Sequence, residues 1–298
     1  MKSQTRGVLE MISAMVISGT VGWCVLMSGQ APLNVVFWRC VFGALAMLVV
    51  FGVSGVLGRY RPSGRQVGLA CLGGVALILN WVLLFSAYGH ASIAIATVVY
   101  HTQPFMLLGL GAVILREQVA GRSLVWLLVA FAGLLLIVFG GGAGVAGPNY
   151  LYGVALALGS AFFYAVAALI AKGLKGMPAP LLVLIQMLVG VVMLAPFVNV
   201  SAVAPRAWGY LVVIGVVHTG VMSTLLYGAI QRIPTALVGA LSFVYPVVAI
   251  AVDWLGFGHA LGAVQLPGAL GILLAAAGMT VFQGRVRSHA EIKMSEIS

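Results

Sequence analysis

Long apolar runs separated by short polar joints alternate along the whole chain of 298 residues. A bilayer core of about 30 Å needs roughly 20 apolar residues per helix. Runs of about that length cover residues 7–27, 33–56, 66–88, 92–115, 123–140, 150–171, 179–198, 208–230, 235–255 and 262–283. The joints are too short to hold a soluble domain. The pattern therefore predicts an all-α polytopic membrane protein with ten transmembrane helices.

One part of this pattern occurs twice. Residues 83–105 align without a gap on residues 225–247 when the numbering is shifted by 142, which is the separation of Pro104 and Pro246. Each copy has a short polar corner followed by an apolar run with a proline deep inside it. Such matched breaks are typical of transporters whose substrate site lies between two repeats.

The repeat predicts how the chain divides. We expect one five-helix repeat over residues 7–140, a second over residues 150–283, and a cytoplasmic tail over residues 284–298. Because five is an odd number, the second repeat must enter the membrane from the other face. The predicted fold is thus two inverted repeats around a central cavity.

Composition and charge support a membrane protein and indicate its orientation. Residues of hydrophobic type make up 62% of the chain and charged residues only 7%, which cannot cover a water-soluble surface. The net charge of +10 does not indicate a nucleic-acid partner, because the basic residues lie in the joints. All Lys and Arg residues except Arg39 and Arg206 fall on the face that holds both termini. The positive-inside rule then predicts a multi-pass protein of the inner membrane with both termini in the cytoplasm.

No motif of an enzyme or a metal site occurs in the sequence. The chain has no HExxH helix, GxSxG elbow or Walker-type phosphate loop, so neither catalysis nor direct use of ATP is expected. Cys24, Cys40 and Cys71 lie within apolar runs and lack metal-ligand spacing. We therefore expect no metal and no cofactor.

Three groups of residues resemble a known family. They are Phe37-Trp38-Arg39, the mid-helix pair Pro104 and Pro246, and the run from Val113-Ile114-Leu115-Arg116-Glu117 into Ala132-Gly133. Together they resemble the drug/metabolite transporter superfamily in its ten-helix form with two EamA-type repeats, over about residues 7–283. The second half departs from the pattern, since His259 stands where the family has an acidic residue. Within the superfamily the chain is most similar to the YddG-type amino-acid exporters.

The resemblance implies a mechanism. It implies an inner-membrane carrier that exports small metabolites by alternating access. Its central cavity would be lined mainly by the first, third, fourth, sixth, eighth and ninth helices.

The two prolines are candidates for the border of the substrate site. A proline inside a helix removes one backbone donor and leaves the carbonyl one turn earlier without its partner. The freed carbonyls belong to Tyr100 and Ser242 and must face protein or water, not lipid. The alternative is a tolerated kink with no further role.

Polar and aromatic side chains near mid-depth are the candidates for substrate binding. His101 could bind a substrate carboxylate or couple transport to protons, and His218 has a weaker case for the same roles. The alternative for each candidate is ordinary packing against a neighbouring helix. The predicted substrate-binding set is Tyr100, His101, Gln103, Asn80, Trp81, Trp23, Tyr164, His218, Tyr227 and Tyr245.

Charged residues in or near the membrane offer further hypotheses. Arg39 could extend outward to the interface, attract an anion, or lock its helix to a neighbour. Asp253 lies at similar depth, so the two residues form a possible outer gate. Glu10 lies near the inner face and could take part in proton coupling. Alternatively, its carboxylate is simply favoured there by the dipole at the amino terminus of the first helix.

The sequence therefore predicts a secondary transporter of small zwitterionic solutes, with amino acids moving outward as the leading hypothesis. Its expected partners are the small-molecule substrate and the lipid bilayer, and we expect a monomer. The alternative is a drug or organic-cation exporter of the same fold. An exporter of that kind would need a carboxylate at mid-membrane, and none is evident in the sequence.

Overall fold

A computed structural model of the chain describes residues 2–54, 60–88, 90–91, 93–117, 119–140, 149–198, 203–257 and 263–297. Within these residues ten helices are long and apolar enough to cross a membrane. Numbered as spans 1 to 10, they are Ser3–Ser28, Pro32–Val53, Gly64–Ala87, Ala96–Ile114, Gly121–Phe139, Tyr150–Gly173, Ala179–Phe197, Ala207–Arg232, Thr235–Gly256 and Gln265–Phe282. The predicted all-helical fold with ten spans is confirmed.

Several spans are interrupted, and the local sequence explains most of the breaks. Span 1 divides into Lys2–Gly19 and Val21–Ser28, span 4 into Ile93–Tyr100 and Gln103–Ile114, and span 9 into Thr235–Ser242 and Val244–Phe257. The breaks in spans 4 and 9 come just before a proline, which cannot donate to the preceding turn. At the break in span 1, the Thr20 hydroxyl bonds to the Ile17 carbonyl, an alternative to the helical ladder.

The remaining spans are built from fewer pieces. Continuous helices are Pro32–Ser54, Gly64–Tyr88, Gly121–Gly140 and Tyr150–Gly173, while Ala179–Leu194 ends in a 3₁₀ turn over Ala195–Phe197. Span 8 consists of Ala207–Gly215, a π-helical turn over Val216–Val221, and Met222–Arg232. The last helix, Gln265–Ile297, runs on past the membrane, so the predicted tail continues span 10 as helix.

Packing between the spans follows the repeat. Spans 2 and 7 pack together, as do spans 5 and 10, and each of these pairs joins equivalent helices of the two halves. Span 3 packs on span 6 just as its equivalent, span 8, packs on span 1. The second half of span 4 meets the first half of span 9 at the centre. This is the arrangement expected of two inverted five-helix repeats.

Spans 5 and 10 cross at a point where only glycine fits. A Cβ atom added to Gly133 would lie 2.6 Å from the carbonyl oxygen of Gly268, and one added to Gly268 would lie 2.6 Å from that of Gly133. Small residues allow this backbone contact, which replaces the missing hydrophobic force between helices in lipid. The glycines at this crossing therefore serve tight packing.

We call the side of the molecule that carries the amino terminus and the joint between spans 8 and 9 the basic face. Glu10 joins these parts, because its carboxylate lies 2.9 Å from Nε of Arg6 and 2.6 Å from Nη1 of Arg232. The helix begins at Lys2, so Glu10 lies beyond the first turn. Its position is explained by this pair of ionic contacts, and the helix-dipole explanation is wrong.

Candidate substrate site

The breaks of spans 4 and 9 face each other in the centre of the molecule and bring five rings together. His101 stacks on Tyr245 with ring centroids 5.8 Å apart and contacts Phe243 at 5.7 Å. Tyr100 lies edge-on to His101 and to Tyr164 of span 6, at 5.6 Å and 6.1 Å. We call these five residues the aromatic cluster. It combines side chains of both repeats.

The backbone explains why these side chains converge. Pro104 is the second residue of the helix that resumes in span 4, and Pro246 is the third residue of the one that resumes in span 9. The preceding helices end at Tyr100 and Ser242, whose carbonyls cannot receive an N–H from the prolines one turn later. Both helix ends therefore place polar backbone groups beside the aromatic cluster.

His101 is buried, with 3% of its surface exposed. Its Nδ1 lies 2.7 Å from the carbonyl of Thr97 and donates to it, which leaves Nε2 as the nitrogen that could meet a ligand. Gln103 is also buried, and its Oε1 has no hydrogen-bond partner among the described residues. His101 thus gives the cluster a polar group, and Gln103 adds an unpaired buried amide oxygen two residues further along span 4.

Arg39 of span 2 lies buried against spans 3 and 8. Its guanidinium carbon is 3.7 Å from the ring centroid of Trp81, which is a cation–π contact. Its Nε donates to Oγ1 of Thr219 at 3.0 Å, and its Nη2 donates to the carbonyl of His218 at 3.4 Å. Only 6% of Arg39 is exposed, so it does not extend outward to the interface, and that hypothesis is wrong.

The π-helical turn in span 8 supplies the acceptors for Arg39. The N–H of Met222 bonds to the carbonyls of Val217 and Thr219, and the His218 carbonyl between them accepts from Arg39. The His218 ring turns toward span 1, where its Nε2 lies 2.8 Å from the Thr20 hydroxyl. Wide turns of this kind are frequent at functional sites.

Two of the predicted binding residues are engaged in bonds between helices. Asn80 donates to the carbonyl and hydroxyl of Ser160 at 3.0 Å and 2.8 Å, and the Ser160 hydroxyl donates back to the Asn80 carbonyl at 2.9 Å. This exchange joins spans 3 and 6. The Tyr227 hydroxyl donates to Oε1 of Gln186, which joins spans 8 and 7. Helix packing accounts for both side chains.

The comparisons with known proteins identify the kind of molecule that carries this site. Residues 5–139 and 151–281 match the EamA-like transporter family, one match in each half of the chain. The chain belongs to the EamA-like transporter family. It is 30% identical to a protein of Bacillus subtilis (strain 168) called uncharacterized transporter YxxF, over 98% of this chain and 94% of that protein.

A solved structure gives this EamA-like transporter independent support for its fold. A protein of known crystal structure superposes with a TM-score of 0.82, covering 94% of this chain and 97% of that one at 18% identity. This likeness concerns the fold alone. The family matches and the ten spans together establish a multi-pass membrane transporter of small molecules.

Trp23 and Asp253 are the remaining predicted site residues of this EamA-like transporter. Trp23 lies toward the other end of span 1, is 38% exposed, and packs edge-on against Tyr210 at 6.0 Å. The side chain of Asp253 lies outside the described part of the structure. The described contacts of Arg39 are with Thr219, His218 and Trp81. The Arg39–Asp253 gate stays a prediction.

An ion pair and a hydrogen bond join three parts of the basic face of the EamA-like transporter. Nζ of Lys172, at the end of span 6, lies 2.9 Å from Oε1 of Glu117 and donates to the carbonyl of Ile233 at 3.0 Å. Burial alone would raise the pKa of the Glu117 carboxyl, but Thr235 and the Lys172 ammonium outweigh it and bring this pKa below its ordinary value. The Glu117 carboxyl is therefore ionised at neutral pH.

Sequence reasoning missed four residues of this region: Thr20, Ser160, Gln186 and Phe243. Gln186 is an isolated amide midway along an apolar run, a signal that could have been used. Phe243 is the repeat counterpart of His101 and could have been found from the alignment. Nothing in the sequence distinguishes Thr20 or Ser160 from other small polar residues in helices.

As to metals, no group of three or more His, Cys, Asp or Glu side chains that could hold an ion occurs in the described part of the chain.

Proposed function

We propose that this EamA-like transporter exports small zwitterionic metabolites, foremost amino acids, across the inner membrane by alternating access. The observation that carries the proposal is an aromatic cluster at the facing helix breaks together with a buried cation, Arg39, stacked on Trp81 of span 3. Apolar walls with a few oriented polar groups suit a solute that has an apolar side chain and a charged backbone. The likeness to YddG-type exporters agrees with this substrate class.

The charges of the described residues favour a zwitterion over an organic cation. Glu10 and Glu117 lie at the basic face and are paired with Arg232 and Lys172. No described carboxylate lies in the aromatic cluster, whereas a cation exporter would want one there to offset the charge of its substrate. A drug or organic-cation exporter therefore remains the second candidate, without an observation in its favour.

Orientation and gating complete the proposal. Arg116, Arg122 and Arg232 lie on or beside the basic face, and by the positive-inside rule we infer that this face and both termini are cytoplasmic. The tie between Glu117 and Lys172 would close the cytoplasmic side and leave the site to the other face. The predicted gate between Arg39 and Asp253 would then form only in the opposite phase, when the outer side is closed.

The test is transport by the purified protein in proteoliposomes. Labelled amino acids and organic amines are offered one at a time, with and without a pH gradient, and protein-free vesicles give the background. We expect saturable transport of one or more amino acids and background rates for the amines. Transport of amines alone would refute the proposed substrate class.

A single substitution tests the role of the central histidine. His101→Asn removes the titratable ring, and we expect it to lower transport at least tenfold or to abolish its dependence on the pH gradient. Protein yield and melting temperature in detergent show whether the variant folds. Unchanged transport with unchanged pH dependence would end the functional interpretation of His101.

A further inference from the structure

We propose that Arg39 is the group that binds the substrate carboxylate, and hence that a free carboxylate is required for recognition. This inference rests on the proposed function and specifies its substrate class. By this inference, Arg39 of span 2 is the residue that distinguishes amino acids from the amines or amides derived from them.

The hydrogen bonds of Arg39 leave one edge of the guanidinium unused. A guanidinium carries five N–H donors in one plane. Nε and one N–H of Nη2 bond to Thr219 and to the His218 carbonyl. Both N–H groups of Nη1 and the second of Nη2 have no partner among the described residues. One unused N–H of Nη1 and the unused N–H of Nη2 therefore point the same way. This is the geometry that binds a carboxylate through both its oxygens.

The charge of Arg39 is not balanced by any described side chain. Its observed partners are a hydroxyl, a carbonyl and the face of Trp81, all of them neutral. Glu10 and Glu117 bind other cations at the basic face. A buried cation held only by neutral groups favours the arrival of an anion, because the anion recovers part of the solvation that burial removed.

The position of Arg39 places this charge beside the aromatic cluster. The guanidinium stacks on Trp81 of span 3, and the preceding residue, Asn80, bonds to Ser160, one helical turn before Tyr164 of the cluster. Trp81 is partly exposed although it lies within the bundle. A zwitterion bound to Arg39 through its carboxylate would thus place its ammonium and side chain toward the rings. Their π faces attract a cation.

The alternative is that Arg39 only anchors span 2 to spans 3 and 8. An anchor and a carboxylate site differ in one measurable respect, since an anchor has no preference among ligands. The experiment therefore measures discrimination, and it uses competitors that share every feature of the substrate except the carboxylate. Phenylalanine, phenylalaninamide and phenethylamine form such a series and suit an aromatic-walled site.

In proteoliposomes, uptake of labelled phenylalanine is measured with each compound as competitor. In the wild type we expect phenylalanine to compete at least tenfold better than the other two. Arg39→Gln should raise the KM for phenylalanine roughly 30-fold or more, while inhibition by phenethylamine changes little. Arg122→Gln is the matched control, because Arg122 is a cation near an aromatic ring, Phe282, away from the site. It should behave as the wild type does.

Two further variants keep the inference falsifiable if Arg39→Gln does not fold. Arg39→Lys keeps the charge but cannot bind both oxygens in the same plane, so we expect the KM for phenylalanine to rise about tenfold with the preference for a carboxylate retained. Asp253→Asn should leave the preference intact. A loss of preference in Asp253→Asn would mean that recognition of the carboxylate does not depend on the Arg39 guanidinium alone, and it would overturn the inference.

The possible failures can be told apart. If the wild type takes up phenethylamine and not phenylalanine, the proposed function fails and this inference fails with it. If the wild type prefers phenylalanine and Arg39→Gln or Arg39→Lys shows the KM and preference of the wild type, only the inference about Arg39 is overturned.

Discussion

The tie between Glu117 and Lys172 predicts which face of the molecule must open. Lys172 lies 2.9 Å from the Glu117 carboxylate and 3.0 Å from the Ile233 carbonyl, so it joins the end of span 6 to the end of span 4 and to the corner between spans 8 and 9. Opening the basic face would separate these parts. We therefore expect Glu117→Gln to shift the molecule toward a state that is open on the basic face.

The burial of the pair sets the size of the effect. Exposed ion pairs contribute about 0–1 kcal/mol, whereas breaking a fully buried one costs about 3–5 kcal/mol. The side chains of Lys172 and Glu117 are 14% and 28% exposed, which lies between these cases. We expect Glu117→Gln to weaken the closed state by about 1–3 kcal/mol, or roughly 5- to 150-fold in its ratio to the open state. Lys172→Gln should act similarly, and the double variant should exceed either single one by little.

The assay is a distance measurement between spin labels on the basic face. Val119 and Lys175 are exposed near the two partners and accept labels as cysteines once the three native cysteines are replaced by alanine. Double electron–electron resonance then reports a short closed distance and a longer open one. Glu117→Gln should increase the longer population, and Arg122→Gln, which removes a neighbouring exposed charge, should not. An unchanged distribution in Glu117→Gln and in the double variant would refute the reasoning.

The same assay has a defined pH dependence. The Glu117 carboxyl has a pKa below its ordinary value of 4.5 when the pair is formed. A lowered pKa means that the ionised group stabilises the closed state above the ordinary pKa, and that this contribution is lost as the pH falls through the lowered value. The distance distribution should therefore stay constant around neutral pH and shift toward the open state only in acid below 4.5. A shift near neutral pH would implicate another group.

Two further substitutions test the packing that supports the site. Gly133→Ala should lower the melting temperature in detergent, because its Cβ would lie 2.6 Å from the Gly268 carbonyl oxygen and overpacking costs about 1–3 kcal/mol. Gly109→Ala, with open space around it, is the control, and equal melting temperatures would contradict the proposed contact. Ser160→Ala removes two hydrogen bonds with Asn80 and should destabilise the protein by about 1–3 kcal/mol in the same measurement. No change would show that water replaces the hydroxyl.

The topology could be predicted from the sequence because lipid leaves the backbone few choices. Every backbone polar group in a bilayer core must be satisfied within the chain, so the length of each apolar run sets a helix. The matched positions of Pro104 and Pro246 then indicate which helices break. The structure places the breaks just before those prolines, at the centre of the packed bundle.

The contacts of individual side chains could not be predicted in the same way. They depend on how the helices are rotated about their axes, which hydrophobicity does not determine when helices are apolar all round. Asn80 and His218 illustrate this, because one proved to bond to span 6 and the other to span 1. The π-helical turn that presents the His218 carbonyl to Arg39 has no signal in the residues 216–221 themselves.

The site also shows why a repeat protein can recognise an asymmetric ligand. The alignment of the halves places His101 opposite Phe243 and Gln103 opposite Tyr245, and His101 contacts both Phe243 and Tyr245 across the interface. Under the matching of the second and seventh helices, Arg39 corresponds to Met187. The repeats thus supply two equivalent backbones, while their side chains differ where they meet. A polar group from one half beside an apolar group from the other distinguishes the two ends of a ligand, as a zwitterion with an apolar side chain requires.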